Sequence, residues 1–256
     1  MRVTLVFLVI FTLIGCVPDC EEPFEKIPSG GIIFSFDDKY VEEWIAHREL
    51  FLEYDIKATF FICRPHLLTD TEIIALKKLQ KDGHEIGCHS LNHLNAQEFA
   101  GNADSYIDAE IIPALDLLTQ FGFNITSFAY PYGKSTPEID TAVSKYFTFV
   151  RKATYNYKDT TLDYYNEIFA NQNNYNLVNA MGIDMGYDIT LENIENGILR
   201  AKENNEVLIL FAHQIIEESN NSHIEPTYLR NIFELCLQNE VKSIRMKDLG
   251  DYYNLK

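Results

Sequence analysis

The chain has 256 residues, 46% of them hydrophobic, and a formal net charge of −17 at neutral pH. That is enough apolar chain for a large buried core. So acidic a surface repels phosphate backbones, which excludes nucleic acid as an expected partner, and an ordinary solvated surface accounts for the rest of the charge.

Residues 1–15 form a segment of their own, with Arg2 its sole charge and residues 3–15 apolar apart from Thr4, Thr12 and Gly15. A bilayer span takes about 20 residues, so this shorter run reads as a signal peptide. Leu13, Ile14, Gly15 and Cys16 resemble the bacterial lipobox, in which the cysteine is acylated and becomes the mature N-terminus. Cys16 is therefore expected to carry a lipid anchor that holds the protein in a bacterial cell envelope, outside the cytoplasm. Cleavage without lipidation is the alternative. Residues 16–29, with Pro18, Glu21, Glu22, Pro23 and Pro28, read as a short acidic tether, and residues 30–256 as one domain. Cys20 falls in the tether and Cys63, Cys88 and Cys236 in apolar surroundings, without CxxC spacing, so neither a disulfide framework nor a thiolate metal site is expected. Nothing indicates an obligate protein partner.

From Gly31 onward short β-rich runs alternate with longer amphipathic ones, the pattern of an α/β barrel or a doubly wound sheet. Residues 32–36 read as a buried strand, and 41–54 as a helix with Val41, Trp44, Ile45, Leu50 and Phe51 on its apolar side. A second strand follows at 58–63. The next helix spans 71–82 and is ended by Gly83; a third strand occupies 85–88. Residues 96–121 read as mostly helical despite Gly101 and Pro113, 127–130 as a strand, 137–145 as a helix and 147–151 as a strand. Residues 152–176, rich in Tyr, Asn and Thr, have no clean period and read as an irregular, substrate-facing stretch. A strand at 177–183, a helix at 191–204, the strong strand 207–211, a helix at 226–238 and a last strand at 242–245 complete the domain.

Chemistry-bearing residues follow the strands. Asp37 and Asp38 close the first, at the end where parallel α/β folds build sites. Adjacent carboxylates diverge on an extended backbone, so one can bind a metal while the other stays free as a base. His89 and His93 follow the third strand; four residues apart on a helical turn, both imidazoles would reach one ion. With Asp38 as third ligand the set suits zinc, with cobalt or nickel as alternatives. His213 follows the strand 207–211 and places a titratable ring on the same rim. His47, His66, His84 and His223 lie in helices, connections or turns and are assigned no chemistry.

Four strings carry a family resemblance: Phe34-Ser35-Phe36-Asp37-Asp38, the run from Gly83 to His93, Phe128-Ala129-Tyr130-Pro131-Tyr132-Gly133 and Leu208-Ile209-Leu210-Phe211-Ala212-His213. In this order they resemble the motifs of the polysaccharide deacetylase (NodB-homology) family, and Lys57-Ala58-Thr59-Phe60-Phe61 does so as well. The resemblance implies a distorted (β/α) barrel and a metal-dependent enzyme that removes N-acetyl groups from an amino-sugar glycan. It assigns Asp37 as catalytic base, Asp38, His89 and His93 as metal ligands, His213 as catalytic acid, and the Tyr132 backbone N–H as an oxyanion donor.

Two positions depart from that pattern, and the aspartate usual in the family's fourth motif is not assigned to a residue. Ala129 stands where family members commonly carry an arginine that orients the aspartate; Arg151, on the next strand, is the candidate replacement. Lys39 stands where glycine is frequent, so altered substrate access is expected there. An O-acetyl esterase acting on a polysaccharide, and a catalytically inactive glycan-binding lipoprotein, are the competing expectations.

Overall fold

A computed structural model describes residues 30–155 and 160–253. The leader, Cys16, Cys20 and the tether lie outside the described residues. The elements are, in chain order, β1 (Gly31–Asp38), α1 (Val41–Ala46), α2 (Arg48–Glu53), β2 (Ala58–Ile62), α3 (Asp70–Lys81), β3 (Glu85–Cys88), α4 (Ala103–Tyr106), α5 (Ile112–Gln120), β4 (Ser127–Ala129), α6 (Pro137–Val143), β5 (Phe149–Thr154), β6 (Phe169–Ala170), β7 (Leu177–Gly182), α7 (Leu191–Asn204), β8 (Val207–Ala212), β9 (Gln214–Ile215), β10 (His223–Ile224), α8 (Pro226–Gln238), β11 (Lys242–Ser243) and α9 (Leu249–Tyr252).

Seven parallel strands close on themselves. β1 pairs with β2, β2 with β3, and the series continues through β4, β5, β7 and β8, whose other edge pairs with β1 from Gly31↔Val207 to Phe36↔Ala212. The expected distorted (β/α) barrel is therefore the fold. Its pairing is shortest between β3 and β4, which meet at Cys88↔Phe128, and between β7 and β8, which meet at Met181↔Leu210 and Gly182↔Phe211 while the first residues of β8 take the short antiparallel β6.

Strand alternation sorts the side chains. Ile32, Phe34 and Phe36 of β1 face the helices, whereas Ile33 belongs to the interior cluster with Phe61, Phe149, Ile209 and Phe211. Both faces of β1 are covered, which is why its sequence reads as a continuous apolar run. At the N-terminal end of the barrel the chain terminus forms a plug: Ile244, Met246, Leu249 and Tyr252 join the interior cluster. There the buried Glu85 accepts hydrogen bonds from Ser127 Oγ at 2.6 Å, Thr59 Oγ1 at 2.9 Å and the Lys247 N–H at 2.9 Å. A buried carboxyl group is tolerated when its lone pairs are used in this way. The opposite end stays open, and the sequence has placed Asp37, Asp38, His89 and His213 there.

Several elements differ from their expected extents. Residues 41–54 form two helices broken at His47. Residues 96–121 divide into a 3₁₀ turn at Ala96–Phe99, α4, a π-helical turn at Ile107–Ile111 and α5, with Gly101 at φ +80° between the first two. The fifth strand runs from 149 to 154, so the stretch thought irregular begins later than expected and contains two 3₁₀ turns and β6. The last strand is reduced to β11, which pairs only with Gly31 and Ile32 at the start of β1. As expected, Gly83 follows α3 with φ +95°, and a Thr69/Glu72 capping box starts that helix.

Candidate active site

The first carboxylate, Asp37, shares the inward parity of Ile33 and is only 3% exposed. Its Oδ2 accepts a hydrogen bond from Arg151 Nη2. Arg151 also points into the barrel from β5, 1% exposed, with its guanidinium 4.7 Å from the Phe211 ring centroid and 5.3 Å from that of Phe61. Two aromatic faces and one carboxylate thus hold a cation that the lumen would otherwise reject. Asp37 Oδ1 is buried with no hydrogen-bond partner among the described residues, a carboxylate oxygen on the cavity wall.

Asp38 ends the strand with φ +83°, a conformation uncommon outside glycine that short polar side chains tolerate best. The turn brings its Oδ1 to 3.2 Å from His93 Nε2 and 3.7 Å from His89 Nε2. Burial would raise the Asp38 pKa, but the hydrogen bond to His93 and the charges of His89, His213 and His93 hold it well below the usual carboxylate range.

His89 is fixed by the backbone. Its Nδ1 lies 2.7 Å from the Ala129 carbonyl oxygen, which can only accept, so Nδ1 carries the proton and Nε2 presents a lone pair. Burial pushes the His89 pKa down to about 4, and the ring is neutral near pH 7. Two acceptors, His89 Nε2 and Asp38 Oδ1, therefore face each other with no proton to share, a contact that a cation between them satisfies. The ligand atoms of Asp38, His89 and His93 lie within 4.8 Å of one another. Tetrahedral zinc with bonds of about 2.1 Å spaces its ligands by about 3.4 Å, close to the separations here, so the residues fit a divalent ion. The His89–His93 segment is not the expected helical turn. It is a loop with Ser90 at φ +70° and His93 at φ +65°, and it turns both rings towards Asp38.

Opposite stands His213, whose Nδ1–H donates to Asp184 Oδ2 at 2.6 Å while its backbone N–H donates to Asp184 Oδ1 at 3.0 Å. Burial would depress the His213 pKa; the hydrogen bond and charge of Asp184, aided by Asp37 and Asp38, outweigh burial and push it up to about 9. The Trp44 indole N–H donates to the His213 carbonyl at 2.8 Å, which ties β8 to α1. Tyr132 adopts φ 59°, ψ 7° inside a 3₁₀ turn. Its carbonyl accepts from Tyr155 Oη at 2.9 Å, and its ring packs edge-on against His93 at 4.9 Å between centroids. Gly133 makes this turn feasible: φ is +63° and an added Cβ would sit 2.2 Å from Ala153 Cβ.

Asp37, Asp38, His89, His93, Tyr132 and His213 all line one cavity of about 310 Å³, together with Arg151. None of His47, His66, His84 and His223 lines it; His84 is buried against Phe51 and Phe60, and its Nδ1 accepts the Ala58 N–H. Lys39 does not line the cavity either; it is paired with Glu72 at the start of α3. Sequence reasoning missed Asp184. Its one signal was position, just beyond the C-terminal end of β7.

A parallel barrel with an Asp-His-His cluster between two separately supported polar pairs defines a class of fold and site, the (β/α) barrels that could hold one metal ion at the open end. The polysaccharide deacetylase family model matches residues 25–148, so that nearly half of the chain resembles that family. No curated protein sequence matches the chain. Among solved structures, the chain is similar to a family 4 acetyl xylan esterase from Clostridium thermocellum in complex with a cobalt ion, with a TM-score of 0.57, 14% identity, and 88% of this chain and 92% of that one covered. It is also similar to the catalytic domain of a peptidoglycan N-acetylglucosamine deacetylase from Eubacterium rectale, with a TM-score of 0.52, 17% identity and coverage of 86% and 90%. A CE4 family pseudoenzyme from Bacillus anthracis aligns with a TM-score of 0.57, 14% identity and coverage of 90% and 67%. At these identities the likeness is one of fold.

Proposed function

We propose that this chain is a metal-dependent hydrolase that removes N-acetyl groups from an amino-sugar polysaccharide, working in a bacterial envelope from a lipid anchor on Cys16. One observation carries the reading: the Asp38–His89–His93 cluster lies on one cavity with Asp37, held by Arg151, and His213, held by Asp184.

Asp38, His89 and His93 would hold one divalent ion, zinc or alternatively cobalt or nickel, which when bound lowers the pKa of a water and polarises the acetamide carbonyl. Asp37 takes the proton of the attacking water at Oδ1, the oxygen that Arg151 leaves open. The Tyr132 backbone N–H stabilises the developing oxyanion, a contribution of about 3 kcal/mol for a well-placed donor. His213 protonates the departing amine from Nε2, since Nδ1 is committed to Asp184. An amide nitrogen is a poor leaving group, and a histidine with its pKa raised to about 9 still carries its proton at neutral pH.

Ala129 supported the inactive-binder expectation, because the usual arginine is absent there. Arg151, directly across from Ala129 in the β4–β5 register, puts a guanidinium on Asp37 and favours an active enzyme. The test is acetate release from chitooligosaccharides, peptidoglycan fragments and acetylated xylan, with and without chelator. Release from the N-acetylated glycans that stops with chelator is expected. Release from acetylated xylan alone would favour the O-acetyl esterase, and no release with metal bound would favour the binder.

A further inference from the structure

The loop that carries His93 is held from beneath by a carboxyl group that the proposed chemistry does not use. Glu110 is fully buried, 0% exposed, on a helix face whose other members, Ile107, Ile111 and Ala114, are apolar. Nothing in the helix requires a carboxylate there; an apolar residue would fill the position more cheaply. Its side-chain hydrogen bonds go instead to one short segment. Oε2 accepts from the Asn92 N–H at 2.9 Å and the Leu94 N–H at 3.4 Å, Oε1 accepts from Asn92 Nδ2 at 2.8 Å, and the Glu110 carbonyl accepts from the Leu91 N–H at 3.0 Å. Residues 91, 92 and 94 are thus pinned on both sides of His93.

The local backbone explains why such a clamp is needed and how it is delivered. Ser90 and His93 both have positive φ, which β-carbon sterics disfavour, so the loop does not hold this shape by its own preference. Ser90 Oγ adds one restraint, accepting the His93 N–H at 3.0 Å. Glu110 lies in the π-helical turn Ile107–Ile111, three residues ahead of Pro113 in the first turn of α5. Proline has no N–H to give to the preceding turn, and an inserted π-turn re-aims the face that follows, a device frequent at functional sites. Here it aims Glu110 at the loop.

We infer that Glu110 is a positioning residue for the metal centre, fixing the backbone at 91–94 so that His93 Nε2 stays within ligand distance of Asp38. This rests on the proposed metal site. Its effect is expected on metal affinity, because a loop free to relax places His93 less often, and outer contacts of metal ligands are typically worth about 10- to 100-fold in affinity.

The experiment measures Zn²⁺ affinity of the full chain by competition with a chromophoric chelator, with circular dichroism in EDTA to follow folding. Glu110→Leu removes every side-chain acceptor at similar volume and is expected to weaken Zn²⁺ binding at least tenfold. Glu110→Gln keeps an acceptor for the backbone N–H groups and is expected to retain most of the affinity. Should Glu110→Leu fail to fold, Asn92→Ala, at an exposed position, removes the Oε1 contact alone and is expected to weaken binding severalfold. Wild-type affinity in Glu110→Leu, or in Asn92→Ala where the former does not fold, overturns the inference while leaving the metal site intact. Absence of Zn²⁺ binding by the wild-type chain overturns both.

Discussion

Replacing Asp184 by asparagine keeps the shape of the side chain and removes its charge. Asp184 is the principal cause of the high His213 pKa, which the buried ring would not otherwise reach. The displacement from the ordinary 6.5 to about 9 corresponds to about 3 kcal/mol in favour of the imidazolium. Since His213 acts as the acid, the active form is protonated and is lost as pH rises. In the wild type the alkaline limb of kcat for acetate release is expected near pH 9; in Asp184→Asn it moves back towards 6.5. At pH 8 the protonated fraction then falls about 30-fold, and the deficit shrinks as the pH is lowered towards 6. The assay is a pH profile of acetate release from a chitooligosaccharide at saturating metal. An alkaline limb that stays near 9 in Asp184→Asn would refute the assignment of His213 as the acid set by Asp184. The same linkage bears on stability. The folded value lies above the unfolded one, so the pair stabilises the fold fully below about pH 6.5 and the contribution is lost as pH rises through about 9.

Arg151→Ala leaves Asp37 buried without its cation and is expected to destabilise the fold by about 3–5 kcal/mol and to cut kcat sharply; deacetylation unchanged in this variant would show that Arg151 does not stand in for the arginine missing at 129. Asp37→Asn is expected to lower kcat by about 10²- to 10⁴-fold while metal content, measured by elemental analysis, stays at the wild-type level. His89→Ala removes a ligand together with its buried hydrogen bond to the Ala129 carbonyl, and loss of bound metal with a lower thermal midpoint in chelator is expected. Gly133→Ala forces a Cβ to within 2.2 Å of Ala153 Cβ at positive φ, and a lower melting temperature together with reduced kcat is expected as the Tyr132 turn shifts.

Much of the site was legible because parallel strands deliver functional residues at one end. Asp37, Asp38 and His213 each close a strongly apolar run, and that context alone placed them on one rim. The closure of the sheet was not legible from periodicity, which suits a barrel and an open sheet equally; the motif resemblance favoured the barrel, and the pairing of β8 with β1 realises it. Spacing suggested that His89 and His93 lie together, as they do beside Asp38, but through another geometry. Two histidines four apart suggested a helical turn, but a loop with positive φ at Ser90 and His93 brings them together. The restraint on that loop comes from Glu110, which sequence pattern hides among the apolar positions of a helix. Asp184 was missed for a related reason: its partner, His213, is 29 residues away, and no local spacing joins them. Arg151 was legible only through what position 129 lacks.

The most direct test of the central claim is a metal titration of chelator-stripped protein, with acetate release from an N-acetylated chitooligosaccharide as readout. The account predicts no release from the stripped protein and a rate that rises with added Zn²⁺ or Co²⁺ to a plateau at one ion per chain. Release that persists after stripping, or one ion bound per chain with no release, would contradict it.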